Sequence, residues 1–301
     1  MKRCIFSLYI DMDKDRIENN SDYQKNILTK NEFISNYKFL VNSQKKYADN
    51  IKVDYFIFEN DNQYKQYYSS FDSYMSDYNI INFYKIYLMY KLAEEYDEIV
   101  YLDLDVVPLT NESIFDLNFK ENGIAVRVNH ECHPSTYLDK FNAMDTIKDR
   151  ENYYNDQTAN NLPAYSPRSP EAKYWNCRAM LILNGYSGTN DVYNTGIVGA
   201  HKKDLKKLKY FNSFKKDIEL MHELVNDEVM WPNYIKSMFG YDNETLFSYK
   251  MICNKIKRLD LDDIWHYPLR TWDYIPNETK MVHVINKKFD IAKEKYEELN
   301  L

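Results

Sequence analysis

The sequence predicts an α/β protein with a mixed, mostly parallel central sheet, helices on both faces and a single domain. Strand-like and helix-like patterns alternate along the first third of the 301 residues, which is typical of strand–helix–strand units with right-handed crossovers. The run at 98–102 (EIVYL) shows no alternation, as expected for a strand that is covered on both faces. Hydrophobic residues make up 44% of the chain, which is enough to build a sizeable core.

The predicted elements of the first half follow one another regularly. Residues 3–10 (RCIFSLYI) predict a strand and not a signal sequence, because the apolar run is short and acidic residues follow without a small-residue cleavage site. Residues 22–48 carry apolar side chains at helical spacing, and residues 53–60 alternate as a half-buried strand does. Residues 79–97 predict a further helix, which leads into the strand at 98–102.

The second half is less regular. Residues 123–128 and 194–200 predict further strands. Between them, residues 130–190 are polar and rich in Asn, Tyr and Pro, which predicts a loop over one face of the sheet. The aromatic run at 263–276 fits either a sugar-binding subsite or a core segment packed on the sheet, and the second interpretation is favoured. Nothing indicates a repeat or a linker, so one domain is predicted.

Composition excludes several classes of protein. The net charge of −7 argues against a nucleic-acid partner, because such proteins usually carry a basic surplus. Neither a dinucleotide fingerprint nor a P-loop pattern is present. The scattered cysteines favour reduced thiols and a cytoplasmic location, and no run reaches the ~18 to 20 apolar residues of a membrane span. The basic stretch at 202–216 fits a solvated helix face, with peripheral membrane contact as the alternative.

Two aspartates, Asp103 and Asp105, follow the strand at 98–102 directly. Their spacing alone is weak evidence, since the chain contains four such D-x-D pairs, but this pair ends a buried strand, where α/β sheets bind ligands. Two close carboxylates repel unless a proton or a cation lies between them. Mg²⁺ and Mn²⁺ prefer oxygen ligands and often bind substrate phosphates as well. The alternative is a pair of aspartates that caps the turn before Pro108.

A third metal ligand is predicted near the C-terminal end of the sequence. His283 lies on a short apolar strand, and Lys287 and Lys288 follow it closely. An isolated histidine is more often a core residue, but neighbouring lysines suit the negative charge that develops on a diphosphate leaving group. The cluster His130-Glu131-Cys132-His133 lacks the second ligand pair of a zinc site and is interpreted as a polar loop.

These residues resemble a known family. The segment 82–108 (NFYKIYLMYKLAEEYDEIVYLDLDVVP) closely resembles the helix–strand–DxD signature of GT-A-fold nucleotide-sugar glycosyltransferases, and in particular family 8, which contains glycogenin and the lipopolysaccharide galactosyltransferases. The segments 192–200, 226–231 and 283–289 are similar to three further motifs of that family, in the same order.

The resemblance implies a single GT-A, or Rossmann-like, domain over residues 1–301. The nucleotide-binding half would be 1–110. The acceptor and sugar half, with the C-terminal metal-ligand segment, would be 111–301.

The resemblance also implies a metal site. Asp103, Asp105 and His283 would hold Mn²⁺ or Mg²⁺ against the diphosphate of the donor, and Asp103 would also touch the ribose. Lys287 or Lys288 would contact the leaving phosphate.

Further residues would bind the nucleotide sugar if the resemblance holds. Ser7 and Tyr9, near the end of the first strand, would face the base. Lys85 stands where many members carry an arginine that holds the sugar nucleotide, so a point charge replaces a bidentate fork. Asn194 would belong to the acceptor or donor-sugar side.

The implied reaction is transfer of a hexose from a nucleoside diphosphate sugar, most readily UDP-glucose or UDP-galactose, to a glycan or another hydroxyl acceptor, with retention. Asp227 and Glu228 would lie near the anomeric carbon as sugar-positioning or electrostatic groups. In an inverting enzyme, one of them would be the general base instead. Two further kinds of function stay open. One is a Mg²⁺-dependent nucleotidyltransferase or phosphohydrolase, and the other is a catalytically silent sugar-nucleotide-binding or scaffold protein. The oligomeric state also stays open.

Overall fold

The computed structural model describes residues 1–11, 23–71, 75–132, 171–187, 190–226, 236, 239–270 and 274–300. Contacts between Cα atoms group the chain into two compact units. The first comprises Met1–Arg127, Thr195–Lys206 and Lys257–Leu301, and the second comprises Val128–Asn194 and Lys207–Ile256. The predicted division into halves at residue 110 stays a prediction.

The described strands and helices are numbered here in chain order. The strands are β1 (Arg3–Leu8), β2 (Asp54–Phe58), β3 (Glu98–Leu102), β4 (Val106–Pro108), β5 (Ile124–Val128), β6 (Tyr193–His201), β7 (Arg258–Asp260), β8 (Tyr267–Pro268) and β9 (Met281–His283). The α-helices are α1 (Tyr23–Asn50), α2 (Asn62–Tyr68), α3 (Asp77–Leu92), α4 (Phe119–Asn122), α5 (Ala172–Leu183), α6 (Lys202–Leu208), α7 (Phe214–Asn226), α8 (Asn243–Cys253) and α9 (Phe289–Glu298). Short 3₁₀ helices span Ile114–Leu117 and His130–Cys132.

The larger sheet has the strand order β2-β1-β3-β6-β5-β7. Strand β1 is parallel to both β2 and β3, and β5 is parallel to β7. Strand β6 runs antiparallel to β3. The prediction of a mixed, mostly parallel sheet accompanied by helices is therefore confirmed.

The centre of this sheet is strand β3, in which every residue is buried. Val100 and Leu102 pack in one core cluster with Ile5, Ile197 and Val106. Burial on both faces explains why the strand lacks the alternation of polar and apolar residues that a half-exposed strand shows. The two aspartates, Asp103 and Asp105, follow directly after this buried strand.

A smaller sheet has the strand order β4-β9-β8. Strand β4 is antiparallel to β9, with Val106 opposite His283, and β8 is parallel to β9, with Pro268 opposite His283. This sheet brings the segment after Asp105 beside the predicted histidine ligand.

Two sequence predictions are wrong in detail. Helix α3 ends at Leu92 and not at residue 97, because a tighter turn follows, in which the Glu94 amide donates to the Lys91 carbonyl at 3.2 Å, three residues back instead of four. Helix α5 lies inside the predicted loop at 130–190. Its buried side chains Tyr174, Cys177 and Leu181 recur at helical spacing, a signal hidden by the polar residues around them.

The described part of the aromatic run, 263–270 and 274–276, contributes four buried residues to the first unit, and 271–273 lie outside the described residues. Trp265, Leu269 and Ile275 are buried, and His266 is fully buried. Tyr274 is exposed. This burial agrees with the favoured core interpretation of the segment. No helix among the described residues combines the length and the apolar character that crossing a membrane requires.

Replacement of Gly199 by alanine tests the packing of β6. A Cβ at this position would lie 2.5 Å from Cζ of Phe119, so the ring must move. We expect Gly199→Ala to lower the free energy of unfolding by about 1–3 kcal/mol, measured by urea denaturation. In a Phe119→Leu background the same substitution should lower the free energy of unfolding by less, because leucine lacks the clashing ring atom. An equal cost in both backgrounds would contradict the packing.

Candidate metal centre

The turn between β3 and β4 presents two aspartates at the end of the central strand. The Asp103 amide donates to the Gly196 carbonyl at 2.7 Å, which continues the β3–β6 ladder by one residue. The Val106 amide then donates to the Asp103 carbonyl at 2.9 Å and closes a tight turn. The Val284 amide donates to the Asp105 carbonyl at 2.9 Å. The backbone of both aspartates is therefore fixed by neighbouring strands.

Gln44 of α1 stabilises this turn by side-chain hydrogen bonds. Its side chain is fully buried, and Nε2 donates to the carbonyls of Asp103 at 3.0 Å and Val106 at 2.8 Å. Its Oε1 accepts a hydrogen bond from the hydroxyl of Ser7 and another, at 3.0 Å, from the hydroxyl of Tyr55. One amide side chain thus joins the turn to β1 and β2, a role that the sequence patterns did not reveal.

Asp103, Asp105 and His283 come together as predicted from the sequence. One ligand atom from each lies within 4.8 Å of the others. Nε2 of His283 is 3.4 Å from Oδ1 of Asp105 and 3.7 Å from Oδ2 of Asp103. The side chains of His283 and Asp105 are 8% and 6% exposed, whereas Asp103 is 26% exposed and gives the site its access to solvent.

This set of donor atoms fits a divalent cation. Carboxylate oxygens are ligands that Mn²⁺ and Mg²⁺ prefer, and an imidazole nitrogen suits a transition-metal ion such as Mn²⁺ better than Mg²⁺. Three protein ligands leave positions open for phosphate oxygens or water. Among the residues that the structure describes, no second group of histidine, cysteine or acidic side chains meets the same distance criterion. Cys132 of the predicted polar loop is buried, and His133 lies outside the described residues.

Two lysines offset the charge of the carboxylates, and a tyrosine donates a hydrogen bond to one of them. Nζ of Lys85, which is 3% exposed, lies 3.3 Å from Oδ1 of Asp103. The Tyr101 hydroxyl donates to the same oxygen. Nζ of Lys287 pairs with Oδ2 of Asp105. The Lys287 backbone adopts a positive φ of 60°, which costs a non-glycine residue roughly 1 kcal/mol.

Neighbouring charges and burial determine the protonation states of Asp105 and Tyr101. Burial alone would raise the pKa of the Asp105 carboxyl, but the charges of Lys287 and His283 outweigh it and hold that pKa well below its usual range. Burial and the charge of Asp103 raise the pKa of Tyr101 well above 10.0. Asp105 is therefore ionised, and Tyr101 remains a hydrogen-bond donor.

Behind His283 lies a second histidine, His266, which was not among the residues predicted from the sequence. Nε2 of His266 is 3.0 Å from Nδ1 of His283. Burial, the charge of His283 and the charge of Arg127 lower the pKa of His266 well below 6.5, so it is neutral. The available sequence signal was a histidine inside an aromatic, largely apolar run, a pattern that also describes many core histidines.

The structure places the predicted nucleotide-contacting residues as follows. Ser7 is fully buried and donates its hydroxyl to Gln44. Tyr9 is half-buried and packs on Tyr37, with ring centroids 5.1 Å apart. Lys288 is exposed and precedes the first residue of α9. The roles predicted for Ser7, Tyr9 and Lys288 stay predictions.

The predicted sugar-side residues are Asn194, Asp227 and Glu228. Asn194 is buried in β6 and belongs to the second compact unit. Asp227 and Glu228 lie outside the described residues. Their predicted roles also stay predictions.

Neither a family model nor a curated protein matches this chain. The similar solved structures include three glycosyltransferases. Mouse xyloside xylosyltransferase 1, in its apo form, is 12% identical, with a TM-score of 0.48 over 95% of this chain and 99% of its own. The galactosyltransferase LgtC, in complex with donor and acceptor sugar analogs, is 10% identical, with a TM-score of 0.47 over 98% of this chain and 94% of its own.

The third is a glycosyltransferase involved in the glycosylation of the major capsid of PBCV-1. It is 11% identical, with a TM-score of 0.41 over 100% of this chain and 99% of its own. All three TM-scores lie below 0.5, so the function proposed below rests on the residues of the site and on the sequence motifs.

Replacement of Gln44 by leucine tests how the aspartate turn is held. The change keeps the side-chain volume but leaves the carbonyls of Asp103 and Val106 and the hydroxyl of Ser7 without this partner. We expect the free energy of unfolding to fall by about 2–4 kcal/mol, since each buried unpaired group costs about 1–3 kcal/mol. Tyr55→Phe removes one bond to the same amide and should cost about 1 kcal/mol. Equal effects in urea denaturation would contradict the central role of Gln44.

Replacement of Lys287 by methionine tests the charge balance at Asp105. Because the folded state lowers the pKa of Asp105, its ionised form stabilises the fold above pH ~4, and this contribution is lost as the pH falls further. Methionine keeps much of the side-chain stem but removes the charge. We therefore expect Lys287→Met to destabilise the metal-free protein at pH 7, with a difference from wild type that shrinks below pH ~4.

The measurement is urea denaturation in EDTA at pH 7 and at pH 3.5. Lys288→Met is the matched control, because Lys288 is an exposed neighbour of the same type, and it should change stability by less than about 0.5 kcal/mol. A Lys287→Met effect that is equal at both pH values would show that Lys287 does not stabilise the Asp105 charge.

Proposed function

We propose that the protein is a metal-dependent glycosyltransferase of the GT-A type, which moves a hexose from a nucleoside diphosphate sugar to a hydroxyl acceptor. One observation carries the proposal. Two of the motifs on which the family resemblance rests, at 82–108 and 283–289, meet in the cluster of Asp103, Asp105 and His283. Lys287 and Asp105, which form an ion pair in this cluster, are 182 residues apart in sequence.

The residues of the cluster match the requirements of diphosphate binding. When bound, Mn²⁺ or Mg²⁺ would act as a Lewis acid on the diphosphate and neutralise part of its charge. Asp103, Asp105 and His283 would hold that ion. Three protein ligands leave room in its coordination sphere for the donor, and the partial exposure of Asp103 opens the site to it.

The lysines of the site would assist departure of the diphosphate. Lys287 carries a positive charge beside Asp105. Its ammonium group would move to a phosphate oxygen of the donor and stabilise the negative charge that develops there. Lys85 is buried against Asp103 and holds that carboxylate in place. Its ammonium group would supply a fixed positive charge at the same side of the donor.

The finer features of the reaction follow from the family resemblance. The donor would be UDP-glucose or UDP-galactose, and the acceptor a glycan or another hydroxyl compound. Configuration would be retained, with the acceptor hydroxyl attacking from the face of the leaving group and the departing phosphate taking its proton. Asp227 and Glu228 would position the sugar.

Thermal unfolding with sugar nucleotides tests the proposal. A ligand that binds only the folded state raises the melting temperature by mass action. We expect UDP-glucose or UDP-galactose to raise it in the presence of Mn²⁺ and far less in EDTA. Asp105→Asn should abolish the Mn²⁺-dependent part of the shift. Asp260→Asn, in a different D-x-D pair, is the matched control and should keep it.

Two outcomes would contradict this proposal. Absence of a Mn²⁺-dependent shift with UDP-glucose, UDP-galactose, UDP-GlcNAc and GDP-mannose would refute sugar-nucleotide binding. A shift without any release of free sugar from the donor, measured over hours in the absence of acceptor, would favour the catalytically silent binding protein.

Substitution of the two neighbouring lysines tests which of them contacts the leaving phosphate. A charge-assisted hydrogen bond contributes about 1.5–3 kcal/mol, or about 10–150-fold in affinity. We expect Lys287→Ala to weaken binding of UDP in the presence of Mn²⁺ by that factor, measured by isothermal titration calorimetry. Lys288→Ala, whose side chain is exposed, should change it less than about threefold. The reverse order would assign the phosphate contact to Lys288.

A further inference from the structure

The buried histidine behind His283 has a geometry that bears on metal binding. His266 is fully buried, and its Nε2 lies 3.0 Å from Nδ1 of His283. The opposite nitrogen of His283, Nε2, faces Asp103 and Asp105. The two nitrogens of the candidate ligand therefore have different neighbours, one a second imidazole and the other the carboxylate pair.

Backbone hydrogen bonds hold the two segments that carry these rings. The His266 amide donates to the Asp262 carbonyl at 2.9 Å, in a turn where Oδ1 of Asp262 also accepts the amide of Ile264 at 3.0 Å. Beyond His266, the Leu269 amide donates to the His283 carbonyl at 2.9 Å, so strands β8 and β9 are locked side by side. The contact between the imidazoles is thus built into the smaller sheet.

A neutral imidazole carries one hydrogen, and its position decides whether His283 can bind a cation. Without a cation, the carboxylates at 3.4 and 3.7 Å favour a hydrogen on Nε2, in the neutral ring as in the charged one. A cation held there requires a lone pair on Nε2, so the hydrogen must be on Nδ1. Nδ1 of His283 then needs an acceptor, and Nε2 of His266 is the group that lies within reach.

We infer that His266 is a positioning residue that accepts the Nδ1–H of His283 and so directs the Nε2 lone pair of His283 toward Asp103 and Asp105. Nδ1 of His266 has no hydrogen-bond partner among the described residues, so no contact there holds the ring in the opposite tautomer. Partners of this kind orient metal-binding histidines in general, and their loss weakens metal binding by about 10–100-fold. The inference deepens the metal centre of the proposed function and rests on it.

Metal affinity tests the inference without any enzyme assay. Isothermal titration calorimetry with Mn²⁺ compares the wild type with His266→Phe, which fills the space but accepts no hydrogen bond, and His266→Gln, whose carbonyl does. We expect the affinity to fall about 10–100-fold in His266→Phe and to stay within about threefold in His266→Gln. His201→Phe removes another buried histidine of the same unit and should leave it unchanged.

Nitrogen NMR of the imidazoles gives the second readout, with diamagnetic Mg²⁺ bound to the wild-type protein. The hydrogen of His283 should lie on Nδ1, and that of His266 should lie on Nδ1 as well. This measurement needs no variant, so it decides the question even if His266→Phe fails to fold.

Several results would overturn the inference. A folded His266→Phe protein with wild-type Mn²⁺ affinity, a His266→Gln protein as weak as His266→Phe, or a His283 that carries its hydrogen on Nε2 with Mg²⁺ bound would each refute the role of His266 alone. A wild-type protein that binds no Mn²⁺ would refute the metal centre itself, and with it this role.

Discussion

The carboxylate of Asp105 is the group on which the rest of the site depends. Its side chain is almost fully buried, and removing an unpaired carboxylate from water costs several kcal/mol. Lys287 and His283, which come from the far end of the chain, supply the compensation. Strand β9 and the residues that follow it place His283 and Lys287 beside the turn after β3. The folding of this region and the assembly of the candidate metal centre therefore share one electrostatic requirement.

Local sequence patterns predicted much of the fold. The buried strand β3, the long helix α1 and the mostly parallel sheet follow from patterns that are local in sequence, because side-chain periodicity directly reflects burial. The end of α3 and helix α5 were predicted wrongly. Polar residues obscured the apolar stripe of α5, whereas the apolar spacing of α3 continues to Tyr96, beyond its last helical residue. The packing that determines such boundaries involves residues distant in sequence.

The part of the candidate site that the sequence predicted consists of residues whose type alone suggests metal binding. Asp103, Asp105 and His283 were identified because acidic residues at a strand end and a histidine beside lysines are unusual. Gln44 and His266 were not, because an amide in a helix and a histidine in an aromatic run acquire a role only through contacts across the fold. Residues that support ligands from behind are the part of a site that one sequence reveals least.

The most direct test of the central claim is the position of a bound cation. Crystals grown with Mn²⁺ and UDP allow the ion to be located by its anomalous scattering. We expect a single strong peak coordinated by carboxylate oxygens of Asp103 and Asp105 and by Nε2 of His283, with diphosphate oxygens completing its shell. A peak bonded to different residues, or a diphosphate bound by the lysines without an ion, would contradict the claim.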